Sequence, residues 1–291
     1  MYSITGITGK VGGTLARTLL AGNQSVRAIA RDASKGRSWV ERGCELAIAE
    51  MDDSAALTAA FRGADGVFIL LPPIFDPAPG FPEARAVIAA VKKALEAARP
   101  GKVVCLSTIG AQATQSNLLT QLTLMERALG ELAVSVTFLR PGWFMENFAW
   151  DITSARDHGF VASFLQPLDK PVPMIATADV GRVAAELIQE SWIGHRVVEL
   201  EAAHRVSPNE AADTLAKILG RPVQATAVPR ETWAGLFASQ GIKHPMPRMQ
   251  MLDGFNEGWI EFERGEQGSI KGKVTLEIVL KGLAEARHDA N

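Results

Sequence analysis

Thr5-Gly6-Ile7-Thr8-Gly9-Lys10-Val11-Gly12 decides how this chain is read. It follows a strand-like entry at residues 1–5 and opens a stretch of helical spacing from Val11 to Leu20, which Gly22-Asn23 ends. Gly6 permits a tight turn, Gly9 lets the backbone approach a pyrophosphate, and Gly12 lets the helix pack closely on the sheet. The helix start adds N–H groups with no intrahelical partner and a partial positive charge, both suited to phosphate. A glycine pattern alone is weak; between a strand and a helix it reads as a dinucleotide-binding loop. Ile7, Thr8, Lys10 and Val11 join the three glycines as cofactor candidates.

Outward from this loop, strands alternate with helices. Strands are expected at Ser25–Ala30, Cys44–Ala49, Gly66–Leu71, Lys102–Ser107 and Val134–Leu139. Between them fall helices around Ser38–Arg42, from Ser54 to Phe61 with Asp53 or Ser54 as N-cap, from Glu83 to Ala98, and from Leu118 to Leu132. This rhythm means βαβ units and a parallel sheet, and right-handed crossovers favour a doubly wound α/β arrangement, a Rossmann sheet. The rhythm fails after Pro141. A helix from Asp179 to Glu190, capped by Thr177 or Asp179, leads to a strand at Arg196–Leu200 that can return to the main sheet. Ser207-Pro208-Asn209-Glu210 reads as a capping box opening a helix to Leu219. A strand at Pro222–Val228 and a helix at Glu231–Gln240 follow, and the Gly- and charge-rich residues 265–273 read as a mobile connection. The expected organisation is an NADP-binding domain over 1–150, with a returning segment at about 176–200, and a smaller C-terminal α/β substrate lobe over 151–291.

The second strand selects the cofactor. An NAD site usually ends this strand with an acid for the ribose 2′-hydroxyl. Here it ends Ala30-Arg31-Asp32, with Lys35 and Arg37 following. A guanidinium pairs well with a 2′-phosphate, so NADPH is expected over NADH, with Arg31 and Lys35 as contacts. Asp32 leaves some NADH use open. By position at the carboxyl ends of strands, Asp52, Leu71, Pro72, Ser107, Thr108 and Pro141 are further cofactor candidates.

Composition removes other classes. Thirty Lys and Arg against 32 Asp and Glu give a net charge of −2, without the basic excess of a general nucleic-acid binder. Cys44 and Cys105 are too few for a disulfide framework and fit a reducing cytoplasm. No apolar run reaches the ~18 residues of a membrane span, and no leader pattern opens the chain. The five histidines (His158, His195, His204, His244, His288) lack metal-ligand spacing, so no metal is expected. No Gly-x-Ser-x-Gly elbow occurs.

Several stretches carry a family resemblance: TGITGKVG (5–12), ARD (30–32), LSTIGA (106–111), ATADVGRVAAEL (176–187) and above all LRPGWFMEN (139–147). Together they resemble the NmrA-like group of atypical short-chain dehydrogenases/reductases. PPIFDPAPGFPEAR (72–85), SFLQPLDKPVP (163–173) and LDGFNEGWIEF (252–262) are similar to flavin-free bacterial NAD(P)H azoreductases within that group. The resemblance implies an NADPH-dependent enzyme that cleaves aromatic azo bonds or reduces quinones; other members of the group sense the NADP/NADPH ratio.

Ordinary short-chain dehydrogenases move a proton with a Tyr-x-x-x-Lys pair. The only tyrosine here is Tyr2, in the first strand, and Thr120-Gln121-Leu122-Thr123 holds no ionisable group where some NmrA-like members keep lysine or histidine. Alcohol oxidation, epimerisation and dehydration therefore rank low. A quinone or azo acceptor asks mainly for proximity and orientation. Gln121 and Asn147 are the candidate catalytic residues, holding the nicotinamide carboxamide or the acceptor; Thr108 and Glu126 are weaker candidates, Glu126 otherwise reading as a helix-surface or cap contact. Trp143, Phe144, Met145, Phe255 and Trp259 are candidate acceptor walls, with Phe75 and Phe81 as a lid. A small aromatic acceptor is the expected partner, with no nucleic acid or membrane and a monomeric or homodimeric chain. The alternative is an NADP(H)-sensing regulator with little turnover.

Overall fold

The computed structural model describes residues 1–288. Residues 289–291 of the expected substrate lobe and the side chain of His288 lie outside the described residues. The first half runs β1 (Tyr2–Ile4), α1 (Lys10–Ala21), β2 (Val26–Ala30), α2 (Ala33–Val40), β3 (Glu45–Ile48), α3 (Ser54–Phe61), β4 (Gly66–Ile69), α4 (Pro82–Ala98), β5 (Lys102–Leu106), α5 (Thr120–Leu129) and β6 (Ser135–Pro141). The second runs β7 (Trp143–Phe144), a 3-10 turn (Met145–Trp150), α6 (Ile152–His158), β8 (Phe160–Ser163), β9 (Met174–Ile175), α7 (Thr177–Gln189), β10 (His195–Glu201) and α8 (Pro208–Leu219). It closes with β11 (Gln224–Ala227), α9 (Trp233–Ser239), α10 (Met246–Glu257), β12 (Ile270–Lys271) and α11 (Leu276–His288).

Two compact units result. The first comprises Met1–Ala111, Leu119–Arg140 and Val180–Val198; the second comprises Gln112–Leu118, Pro141–Asp179 and the chain from Glu199 onward. The main sheet has the order β12-β10-β6-β5-β4-β1-β2-β3. From β3 through β6 every pairing is parallel. The chain leaves β1 toward β2 and β3, then crosses back to β4 on the other side. That reversal between β1 and β4 is the switch point of a doubly wound sheet, where ligands bind. β4 is buried along its whole length, as a central strand covered on both faces should be. The expected returning strand is β10, which neighbours β6.

In the second unit, β8 pairs with β11 and β7 with β9, both parallel. The capping box at Ser207 forms: its hydroxyl accepts from Glu210 N while the Glu210 carboxylate accepts from Ser207 N. The segment read as mobile is instead tied down. Ile270 and Lys271 pair with Leu200 and Glu201 as an eighth strand. Three buried carboxylates hold this strap: Glu199 accepts from Glu263 N and Arg264 N, Glu201 from Ser269 Oγ and Lys271 Nζ, and Asp179 from Lys273 N and Val274 N. Backbone amides, one hydroxyl and the Lys271 ammonium supply the donors that the buried acids require. Among the described residues no helix is long and apolar enough to cross a membrane.

Candidate functional site

In the first unit, β1 delivers Thr5 to the switch point. Its hydroxyl donates to Phe68 O and accepts from Leu70 N, locking the ends of β1 and β4 together. Gly6 then turns with φ +63°, a left-handed conformation that glycine adopts without penalty, against Leu70. Gly9 N bonds Gly6 O at 3.0 Å, so the loop closes on itself before α1 starts. Gly9 is the N-cap of α1 and offers no side chain to the first turn. The first amides are therefore left for an anion, with Thr8, Gly9 and Lys10 exposed at the rim. A Cβ on Gly12 would stand 2.4 Å from Gly6 O, and one on Gly181 of α7 would stand 2.6 Å from Val11 O. The start of α1 is thus enclosed by backbone on two sides.

At the end of β2, Arg31 is exposed and pairs with no carboxylate among the described residues. Asp32 is turned away from the strand end. It caps α2, accepting from Lys35 N at 3.0 Å and from the Ser34 hydroxyl. These bonds hold its carboxyl below the usual carboxylate range. α2 begins at Ala33, where Asp32 caps it, and stops at Val40, short of the Arg42 expected within it. Lys35 stands on its first turn, 3.9 Å from Asp32. Asp53 accepts from Ala55 N and Ala56 N and caps α3; Asp52 beside it is exposed.

At the ends of β4, β5 and β6, Leu71 is half-buried, Pro72 exposed, and Ser107, Thr108 and Pro141 buried. Glu126 is not on a helix surface, as one reading had it. Its carboxylate lies inside the unit, taking Arg140 Nε at 2.9 Å and Nη2 at 2.6 Å in a two-pronged pair and accepting the Ser107 hydroxyl. This network joins β5, α5 and β6, and sequence reasoning missed Arg140 altogether. The available signal was an arginine ending an otherwise apolar strand, VTFLR. Burial and the Glu126 charge together push the thiol of Cys105 upward, so that cysteine is inert. Gln121 is buried and its Nε2 donates to Ile74 O at 3.0 Å, tying α5 to the loop after β4. In that loop Phe75 is exposed, but Phe81 is not a lid residue. It packs in the hydrophobic core while its backbone, at φ +58°, turns into α4.

In the second unit, Trp143 meets Phe255 edge to face, with centroids 5.1 Å apart. Phe144 is half-buried and Met145 fully buried. Trp259 is half-buried, its indole N–H donating to Glu257. Asn256 fixes α10 by accepting from Gln166 N and donating to Phe164 O, and Lys170 Nζ donates to Phe255 O and Asn256 O. Asn147 is exposed on the 3-10 turn, whereas its neighbour Glu146 accepts from Thr177 N and Oγ1 and so caps α7.

Where the 3-10 turn meets α6, burial pushes the Asp151 carboxyl up to about 7. An unfolded aspartate titrates near ~3.9. The unfolded chain therefore releases this proton first, and stability falls as pH rises from about 4 to about 7, then levels. Asp151→Asn is expected to melt higher than the parent at pH 8, by roughly 2 °C or more, with the gap closing at pH 4. Thermal unfolding across that range checks it; a pH-independent gap would refute the assignment.

Residues 3–267 match the NmrA-like family. The chain belongs to that family. It is 26% identical to the NAD(P)H azoreductase of Xenophilus azovorans over 88% of this chain and 85% of that protein. It is also 26% identical to quinone oxidoreductase 2 of Escherichia coli, over 83% and 82% of the two chains. In fold it is similar to the NADPH-dependent quinone oxidoreductase of Escherichia coli, with a TM-score of 0.78, 23% identity and coverage of 97% and 99%. The Citrobacter triphenylmethane reductase has the same fold, with a TM-score of 0.81, 19% identity and coverage of 98% and 99%.

Proposed function

We propose that this NmrA-like chain is an NADPH-dependent oxidoreductase that passes hydride, without flavin, to a small aromatic azo compound or quinone. Support for an NAD(P)H-dependent reductase comes from the family and from relatives named for azo and quinone reduction. The observation that carries the choice of cofactor is the end of β2. Arg31 is exposed without a carboxylate, and the one acid beside it is consumed in capping α2. The residues fit the dinucleotide: uncapped first-turn amides of α1 for the pyrophosphate, Arg31 and Lys35 for the 2′-phosphate, and the ends of β4 and β5 for the remainder.

Bound NADPH supplies the hydride. The chain's own work is to bind and orient. Gln121 holds the loop after β4 through Ile74, and the Glu126–Arg140 pair fixes Ser107 at the end of β5. Trp143, half-buried and held edge to face by the buried ring of Phe255, offers a surface for a flat acceptor. With no tyrosine or lysine on the first turn of α5, the acceptor's proton comes from solvent.

The test is NADPH consumption at 340 nm by flavin-free protein, offered an azo dye and a simple quinone, with NADH as control. Acceptor-dependent oxidation that prefers NADPH is expected. Arg31→Ala is expected to lower the NADPH-over-NADH preference by at least about tenfold, the scale of a lost charge-assisted contact. Tight NADPH binding without turnover on either acceptor would refute the enzyme and favour a sensor.

A further inference from the structure

α2, the helix that carries Lys35, rests on two residues. Of its eight positions only Gly36 and Trp39 are buried, one turn apart on the same side. Glycine disfavours a helix more than any residue but proline, and here it stands inside a short one. Its surroundings give the reason. A Cβ on Gly36 would lie 2.3 Å from Leu46 Cδ1, 3.0 Å from Cδ2 and 3.2 Å from Cγ. The helix backbone therefore sits directly on the half-buried leucine that β3 offers. Turning the leucine methyls aside would still leave the branch carbon tight against an added Cβ. Trp39 makes the second contact. Its Cζ2 lies 3.5 Å from where a Cβ on Gly13 of α1 would stand, one residue past the Gly12 that approaches Gly6. One glycine thus sets α2 against β3, and another sets it against the start of α1.

Lys35 is exposed and precedes Gly36, on the turn that Asp32 caps. The backbone of α2 cannot rise at Gly36 without carrying the Lys35 ammonium with it. In the proposed site NADPH places two phosphate groups on this unit: the pyrophosphate at the first amides of α1, and the 2′-phosphate at Arg31 and Lys35. Arg31 ends β2 and stays with the sheet, whereas Lys35 follows α2. NADH has a 2′-hydroxyl in place of the phosphate and gains nothing from a cation there.

Resting on the proposed NADPH reading, we infer that Gly36 is a positioning residue for cofactor choice: its missing side chain seats α2 on Leu46 and so holds Lys35 where the 2′-phosphate binds.

The experiment is calorimetric titration of the full chain with NADPH and with NADH. Gly36→Ala is expected to lower the NADPH-over-NADH preference by about fivefold, the scale of one charge-assisted contact, while NADH affinity holds within about twofold. Adding Leu46→Ala, which vacates the space that the new methyl takes, should recover most of the preference. In a Lys35→Ala background, Gly36→Ala should change the preference no further, because its effect passes through Lys35. Should Gly36→Ala fail to fold, Leu46→Ala alone, which unseats α2 from the strand side without a clash, is judged by the same loss. An unchanged preference in the folded variant overturns the inference, as does an equal loss for both nucleotides, the mark of a merely structural residue. A loss that persists in full without Lys35 overturns it too. A wild type that binds NADPH no tighter than NADH overturns the NADPH reading itself. A preference that falls in Arg31→Ala but survives Gly36→Ala overturns the Gly36 assignment alone.

Discussion

Glu126→Ala is expected to lower folding stability by about 3–5 kcal/mol, the range for breaking a buried ion pair by removing one partner. The side chains of Arg140 and Glu126 are only 6% and 11% exposed, so water cannot replace the lost carboxylate as it would at a surface pair. The substitution removes both prongs of the Arg140 fork and the acceptor of the Ser107 hydroxyl together. Urea unfolding should show a lower midpoint with an unchanged slope. The double variant Glu126→Leu, Arg140→Met should recover most of the loss, because apolar groups of similar volume carry no desolvation penalty. A loss below about 1 kcal/mol would mean that the pair behaves like an exposed one. The network also joins the ends of β5 and β6, so Glu126→Ala should weaken NADPH binding beyond its effect on folding if Ser107 contacts the cofactor.

Local signals made the first unit legible. The glycine loop, the alternation of apolar strands with helices, and the Ser207 box each depend on residues a few positions apart, which is what a sequence displays. Features that failed to appear depend on distant partners. β8 is a strand because β11 lies beside it, more than sixty residues later, and β7 because β9 does. Neither short segment carries a period of its own. Residues 265–273 look solvated until Glu201 is seen to take the side chains of Ser269 and Lys271, and Asp179 the amide of Lys273. Phe81 looks like a loop aromatic because Gly80 and Pro82 flank it; its positive φ is what swings the ring into the core. Glu126 reads as a surface or cap residue of its helix because its partner Arg140 lies fourteen positions away on a different element. For the site, the phosphate loop and Arg31 could be read directly. The capping of α2 by Asp32, which sharpens the choice of cofactor, needed the structure.

Gly12→Val should lower NADPH affinity by roughly two orders of magnitude, equivalent to about 2.7 kcal/mol, and reduce stability by about 1–3 kcal/mol. A Cβ at this position would lie 2.4 Å from Gly6 O and 2.8 Å from Gly6 C, both backbone atoms that no rotamer change can move. Gly6 cannot yield either, since it holds φ +63° with Leu70 packed 3.2 Å from where its own Cβ would be. The loop must therefore lift off the start of α1, and the amides proposed for the pyrophosphate lose their alignment. Gly9→Ala separates folding from binding. Gly9 has φ −87°, open to any residue, and its Cβ would meet only Gly6 O at 3.3 Å. That variant should fold almost as well as the parent, yet bind NADPH more weakly, because its methyl stands at the N-cap where phosphate would approach. Fluorescence titration with NADPH alongside urea unfolding distinguishes the two. Parental NADPH affinity in a folded Gly12→Val would overturn the loop assignment, because a cofactor contacting these amides has to register a shift that the backbone cannot avoid.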